Sequence, residues 1–263
     1  MKTILLATIA ALLPVAVLPA EEAAPPAFFP FVKGRFWLYD GKVTYAANGK
    51  VNEKDIKGWR SEVVEVAKGA DFQAALLKGR PSDLAWFEDG RERSDAIVIV
   101  TAKAEYEEYD GDGAVQQFAS IKADGKLPAD MKPELIFRYP PKDGERFGEE
   151  DPATNGRYCW VASATSKAAF HPPVKGLPKS KPFPQFTITY RSSPDHTIIS
   201  FAAEVGITGY TYVHHGTKGD CEMRLVETGI AKPKPEAQPA ADKPAAPEGP
   251  EKAATPEGKP SRG

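Results

Sequence analysis

Two tyrosines and a histidine alternate along one segment of the sequence, VGITGYTYVHH (Val205–His215). Successive side chains of a strand point to opposite faces, so Tyr210, Tyr212 and His214 are expected to share one face. Aromatic rings with polar tips are typical of ligand sites, and we predict that these three side chains bind a ligand. The alternative is that they pack beneath a loop or a neighbouring segment, because tyrosines are common in sheets without ligands.

The histidines do not point to a metal site. His214 and His215 are adjacent, so a strand would direct them to opposite faces. His171 and His196 are isolated in the sequence, whereas a zinc site needs several converging ligands. We therefore predict no metal and no cofactor, and we interpret these residues as polar, partly exposed histidines.

Signatures of catalysis are also absent from the sequence. It contains no GxSxG, HExxH, SxxK or Walker motif. Asp110–Gly113 (DGDG) resembles the start of a calcium loop but lacks its later acidic ligands, which favours a hairpin tip. Asp195 and His196 follow two serines, but neighbours in a turn rarely have the geometry of a catalytic triad. We assign no catalytic residue.

The chain around these residues is typical of short strands separated by turns. Asn48-Gly49 is a strong hairpin signal, and no amphipathic helical segment of ten or more residues stands out. The sequence therefore predicts a mainly β fold with an antiparallel curved sheet, either a half-barrel or an open barrel, with a β-sandwich as the alternative. The candidate strands are Phe36–Tyr45, Trp59–Ala67, Phe72–Leu77, Leu84–Phe87, Ala96–Tyr106, Tyr158–Ser163, Phe186–Tyr190, Thr197–Phe201, Val205–His215 and Cys221–Glu227.

The two ends of the chain differ from its middle. A basic start followed by a short apolar run and small residues predicts a signal peptide over residues 1–20. Residues 21–27 form a short linker, and residues 28–230 are predicted to form a single β-rich domain. Residues 231–263 are rich in Pro, Ala, Lys and Glu, which predicts a disordered tail. We expect an exported protein, periplasmic or extracellular, that has no stable membrane span after signal cleavage.

The net charge argues against one class of partner, and the cysteine content bears on disulfide bonding. The net charge of −2 does not suit nucleic-acid binding, which needs a concentrated basic face. Export places Cys159 and Cys221 where disulfides persist, and we predict a bond between them. The alternative is two buried thiols that act as small apolar side chains. We expect a monomer.

One phrase occurs twice: aromatic, Pro, three residues, Gly, two residues, aromatic. It spans Phe29–Trp37 and Tyr139–Phe147. Pro fixes its own torsion and Gly permits a turn, so each copy predicts the entrance to a strand.

The opening Phe29–Tyr39, the second phrase Tyr139–Gly144, and Val205-Gly206-Ile207 followed by Tyr210 resemble a broad group of uncharacterised exported bacterial β-rich proteins. Their curved sheets are similar to lipoprotein-carrier half-barrels of the LolA/LolB type. The resemblance implies a half-barrel with an apolar concave face, and it brings no catalytic residues.

Together these features favour an exported, non-catalytic β domain that binds an apolar or amphipathic ligand, such as a lipid, or an envelope partner. One alternative is a secreted hydrolase whose site is built from loops. Another is a structural interaction module that uses its Pro-rich tail.

Overall fold

The computed structural model of the protein describes residues 27–148, 157–163, 169–170, 173–193, 195–215 and 219–231. The predicted signal peptide, the linker up to residue 26 and the predicted tail beyond Ala231 lie outside the described residues. The described residues belong to one compact unit that ends at Ala231. None of the helices in the described ranges has the length and apolar character needed to cross a membrane.

The described elements are mainly strands. They are β1 (Arg35–Ala47), β2 (Lys50–Lys68), β3 (Phe72–Lys78), a 3-10 helix (Pro81–Leu84), β4 (Asp95–Thr101), β5 (Glu105–Tyr109), α1 (Ala114–Asp124), β6 (Glu134–Arg138), β7 (Arg146–Phe147), β8 (Trp160–Ser163), β9 (Ala169–Phe170), β10 (Phe183–Arg191), β11 (Asp195–Ala202), β12 (Gly206–His214) and β13 (Gly219–Ile230).

The strands form one antiparallel sheet that curves into a nearly closed barrel. Their order is β6-β5-β4-β3-β2-β1-β13-β12-β11-β10-β8-β7, and β9 pairs with β10 beside this path. The two ends of the path meet through side chains, because Trp160 Nε1 in β8 donates to Glu134 Oε1 in β6 at 2.7 Å. The predicted mainly β fold with a curved antiparallel sheet is confirmed. The sandwich alternative is not adopted, since a single sheet carries all the described strands.

Aromatic side chains fill the interior of the barrel. The Phe137 ring stacks on Tyr106 at 4.7 Å and lies 5.0 Å from Phe186 and from Phe201. Phe29, from the entrance of the chain, lies 5.6 Å from Tyr106 and closes the end of the barrel at which β1 begins. A remaining gap beside Tyr39 and Arg80 measures about 10 Å³, which is room for about one water molecule. The concave face is therefore occupied by the protein's own side chains.

Both copies of the repeated phrase behave as strand entrances. Gly34 and Gly144 adopt left-handed conformations, with φ of 78° and 74°, which a side chain would strain. Gly34 donates to Val63 O and Gly144 donates to Ala162 O, each at 2.8 Å. The two entrances also lie close together, because the Phe28 ring stacks on Tyr139 at 4.7 Å.

A helix that the sequence analysis missed covers part of the outside of the barrel. In α1, Ala114, Phe118 and Ile121 are buried at a spacing of four and three residues, which is the spacing of one helical face. They pack on outward-facing residues of β3 and β4, such as Leu76 and Ile99. Only three residues carry the pattern, so its periodic signal is weak.

The predicted disulfide is wrong, since no bond joins Cys159 and Cys221 and both thiols are buried. Cys221 lies in the barrel core, whereas Cys159 is not part of that cluster. Cys159 precedes β8, and three strands, β10, β11 and β12, separate β8 from β13. Four steps of about 4.8 Å give about 19 Å along the sheet, whereas a disulfide needs Cα atoms within about 7 Å.

Candidate functional site

The candidate site lies on the rim of the barrel where β11 begins and β12 ends. We call Trp86, Asp195, Tyr212 and His214 the rim site. Asp195 and His214 are directly opposite each other in the antiparallel register of β11 and β12. Trp86 comes from the loop after the 3-10 helix, which crosses this end of the barrel and places Leu84 in the core. Side chains from three separate parts of the sequence therefore meet at one place.

A histidine–carboxylate pair forms the polar centre of the rim site. His214 Nδ1 lies 2.5 Å from Asp195 Oδ1, and the backbone N–H of His214 donates to Asp220 Oδ1 at 3.3 Å. The Asp195 contact assigns the proton to Nδ1 and leaves Nε2 to face other partners. The imidazole is therefore held in one orientation by its carboxylate.

An exposed tryptophan stands beside this pair. The Trp86 ring lies 4.2 Å from the His214 ring and 5.8 Å from the Tyr212 ring, yet 47% of the residue is exposed. Its φ of 53° is unfavourable for a bulky residue. Arg91 helps to hold this conformation, because its Nη2 donates to Trp86 O at 2.8 Å. The loop thus exposes an apolar ring to solvent and holds the backbone of Trp86 in an unfavourable conformation. Backbone strain of this kind is found often at binding sites.

Tyr212 lies beneath Trp86 and is only 5% exposed. Its buried hydroxyl makes no hydrogen bond of good geometry among the described residues, but the Asp195 carboxylate is near enough to interact with it. Burial, and then the Asp195 carboxylate, raise the pKa of this phenol, so it stays protonated. The Tyr212 ring therefore supports Trp86 from inside the barrel.

The structure places the three predicted ligand-binding residues at different depths in the barrel. Burial alternates along β12 as expected, with Tyr210 and Tyr212 inside the barrel and His214 at its rim. Tyr210 is deep in the core, and burial raises its pKa. His215 is exposed, and His171 lies outside the described residues. Whether the tyrosines and His214 bind a ligand stays a prediction.

The sequence indicates neither Trp86 as a site residue nor His214 as the partner of Asp195. Leu84–Phe87 was predicted as a strand, but Pro81–Leu84 is a 3-10 helix and the residues after it form the loop. Pro81 at the start of that segment was the available signal, because Pro suits the first turn of a helix. Asp195 was considered beside His196, whereas its partner in the structure is His214.

The Asp195–His214 pair has the form of half a catalytic triad, but the rest of a triad is not assembled around it. Among the described residues, no Ser, Thr or Cys side chain is hydrogen-bonded to His214. Cys221, opposite Tyr212 in β13, is a poor nucleophile because burial raises the pKa of its thiol to about 12. Within the described ranges no three His, Cys, Asp or Glu residues are grouped to hold a metal.

An ion network around the buried Arg80 side chain anchors the base of the loop. Arg80 donates to Glu108 at 2.6 Å and to Asp110 at 3.1 Å. Burial by itself lowers the pKa of Arg80. The nearby carboxylates, Glu108 first, raise this pKa by more than burial lowers it, so the guanidinium group stays charged. Asp83 accepts from the backbone N–H groups of Arg80 and Ser94, each at 3.0 Å. These contacts tie both ends of the loop to the barrel.

Comparisons with known proteins give no family for the chain. No protein-family model and no curated protein matches it. One similar solved structure is a protein thought to be exported, with a YmcC-like fold, from Bacteroides fragilis NCTC 9343. It is 11% identical with a TM-score of 0.39, and the match covers 77% of this chain and 98% of that one. Another is a protein thought to be a lipoprotein, from Parabacteroides distasonis ATCC 8503. It is 12% identical with a TM-score of 0.38, and the match covers 78% of this chain and 100% of that one. Similarity at this level supports no conclusion about function.

Proposed function

We propose that this chain is an exported, non-catalytic binding domain whose ligand site is the rim site rather than the barrel interior. The observation that carries the proposal is the exposed Trp86 ring held beside the Asp195–His214 pair. Export rests on the signal peptide predicted from residues 1–20. The filled interior argues against a lipid carried inside the barrel, because a gap of about 10 Å³ cannot hold an acyl chain.

The chemistry of the rim site favours a saccharide. The apolar face of a sugar ring packs well on an indole, and the exposed Trp86 ring offers such a surface. Sugar hydroxyls both donate and accept hydrogen bonds. They therefore suit His214, whose orientation is fixed by Asp195. An envelope polysaccharide is thus the class of partner that we propose.

Binding to an array of bacterial surface glycans, which includes peptidoglycan fragments and capsular saccharides, tests the proposal. We expect the purified mature protein to bind at least one saccharide. With that saccharide, calorimetry should show that Trp86→Ala weakens binding by about tenfold or more, because aromatic anchors often contribute over 1.4 kcal/mol. His214→Gln should weaken binding by a smaller factor.

Val115→Ala is the matched control, because Val115 and Trp86 are both 47% exposed and Val115 lies on α1, outside the rim site. The control should bind as the wild type does. The proposal fails if no saccharide on the array binds, or if Trp86→Ala and Val115→Ala have equal effects.

A further inference from the structure

A second surface of the barrel forms a cleft lined by cationic side chains. It measures about 470 Å³ and lies between β2, the end of β3 and the loop before β4. We call this surface the basic cleft. Glu92 is the one acidic residue among the described residues that line it. The five cationic residues are Lys57, Arg60, Lys78, Arg91 and Arg93.

Three of these five cations already have carboxylate partners. The partners lie on β1, on β2 itself and on β4. The pairs are Lys57 with Asp40 at 3.4 Å, Arg60 with Glu62 at 2.7 Å, and Lys78 with Asp95 at 3.2 Å. Such partly exposed ion pairs are weak. The three paired cations therefore still contribute positive charge to the cleft.

Arg91 and Arg93 differ from the other three cations. Arg91 Nη2 donates to the carbonyl groups of Ala85 and Trp86, and Arg93 Nη1 donates to Arg60 O at 3.4 Å. Neither arginine forms an ion pair with a described carboxylate. A guanidinium group has five N–H donors in a planar fork, so each arginine keeps donors for a further acceptor. Two such forks beside one cleft form a site for an anion with several oxygens.

An aromatic wall completes the basic cleft. Trp59 lines it and is partly exposed, and its Nε1 donates to Arg80 O at 2.9 Å. Because the polar atom of the indole is already used, the exposed part of the ring is apolar. The cleft therefore suits an anionic group attached to a larger body that contacts the ring.

We propose that the basic cleft binds a phosphate group carried by a larger molecule. Phosphate presents several oxygens to Arg91 and Arg93 in the bidentate geometry that guanidinium groups favour. The same chemistry is supplied by free phosphate, by a phosphorylated sugar and by a phospholipid headgroup. Arg91 contacts both this cleft and the backbone of Trp86 in the rim site, but the proposal does not depend on saccharide binding at the rim site.

Calorimetry at low salt, with inorganic phosphate and with glucose 1-phosphate, tests the site directly. Flotation with vesicles of phosphatidylcholine and phosphatidylglycerol tests the lipid source. We expect at least one probe to bind and the affinity to fall as salt is added, since the contacts are between charges. Tighter binding of the sugar phosphate than of phosphate identifies a phosphorylated sugar, and binding to vesicles alone identifies a headgroup.

Arg93→Gln should weaken binding by about tenfold or more, because it removes a charge-assisted fork. Arg93→Lys keeps the charge but not the fork and should have an intermediate effect. The matched control is Arg224→Gln, which removes an exposed arginine paired with Glu222 outside the cleft. Circular dichroism and thermal melting confirm that each variant folds. The proposal is overturned if none of the three probes binds, or if Arg224→Gln weakens binding as much as Arg93→Gln.

Discussion

At the scale of single residues, one extra residue in β12 determines which side chain reaches His214. Ala202 pairs with Gly206, but after a shift of register Ser200 pairs with Gly209, and Asp195 then faces His214. Without this shift, position 194 would stand opposite His214. The sequence identified His214 as a candidate from its alternation, but it could not reveal the bulge. The carboxylate partner therefore could not be predicted, although both residues were noted.

The two cysteines give a residue-scale prediction. In the folded protein Cys159 and Cys221 are 1% and 2% exposed, and burial raises the pKa of Cys221 to about 12. We expect neither thiol to react with iodoacetamide at pH 8, because an alkylating agent needs an accessible thiolate. After unfolding in guanidinium chloride without reductant, both should react. Intact mass spectrometry measures this, and a sample that alkylates only after reduction would show that a disulfide had formed.

At the scale of elements, the sequence predicts strands well where turn residues flank them. It predicts them poorly where contacts between distant residues determine the local structure. Asn48-Gly49 forms the predicted hairpin, since Ala47 pairs with Lys50 across it. The predicted strand Ala96–Tyr106 is in fact β4 and β5 with a turn between them. A continuous run of β-branched residues hides such a turn, because its break at Ala104 depends on an unusual positive φ. Pro81 signals the 3-10 helix before the loop that carries Trp86, but the contacts of Arg80 with Glu108 and Asp110, which anchor the loop, join residues far apart in the sequence.

The packing of α1 gives a prediction at this scale. Phe118 is 3% exposed and packs on the outer face of β3 and β4. Phe118→Ala should lower the free energy of unfolding by about 3 kcal/mol, because it leaves a cavity between helix and sheet. Val115→Ala is the control on the same helix, as Val115 is 47% exposed, and should change stability by less than about 0.5 kcal/mol. Urea denaturation measures both, and equal effects would mean that α1 does not pack on the sheet.

At the scale of the whole molecule, the barrel is closed by side chains where its backbone pairing ends. The order of strands runs from β6 to β7, and these two end strands are not paired with each other. We call the junction between them the seam. The Trp160–Glu134 hydrogen bond crosses from β8 to β6 near the seam. The resemblance to carrier half-barrels implied an open apolar concave face. The aromatic rings of Phe137, Phe186 and Phe201 occupy that space instead. Binding at the outer rim follows from this filled interior.

Closure of the seam makes stability depend on the charge of Glu134. Glu134 is exposed as a whole residue, but desolvation of its carboxyl raises the pKa of Glu134, the Trp160 hydrogen bond offsets part of this, and the charges of Glu108 and Asp110 raise it further. Solvent screening at an exposed residue keeps the effect on stability small. A carboxyl with a raised pKa binds its proton more tightly in the folded state than in the unfolded state. Its contribution to stability is therefore favourable at low pH and is lost as pH rises from about 4.3, the usual value for Glu, through the raised value.

Two substitutions test this account of the seam. Glu134→Gln keeps an acceptor oxygen for Trp160 and removes the charge, so it should fold at least as stably as the wild type at pH 7. It should also lose the part of the pH dependence that begins at about pH 4.3.

Trp160→Phe removes the donor and should speed hydrogen exchange in β6, the strand at the free end of the sheet, while exchange in β1 and β13 stays slow. Urea denaturation across the pH range and hydrogen exchange by mass spectrometry measure these effects. Unchanged exchange in β6 would show that backbone pairing alone holds the barrel closed, and lower stability of Glu134→Gln at pH 7 would show that the charge of Glu134 strengthens the seam.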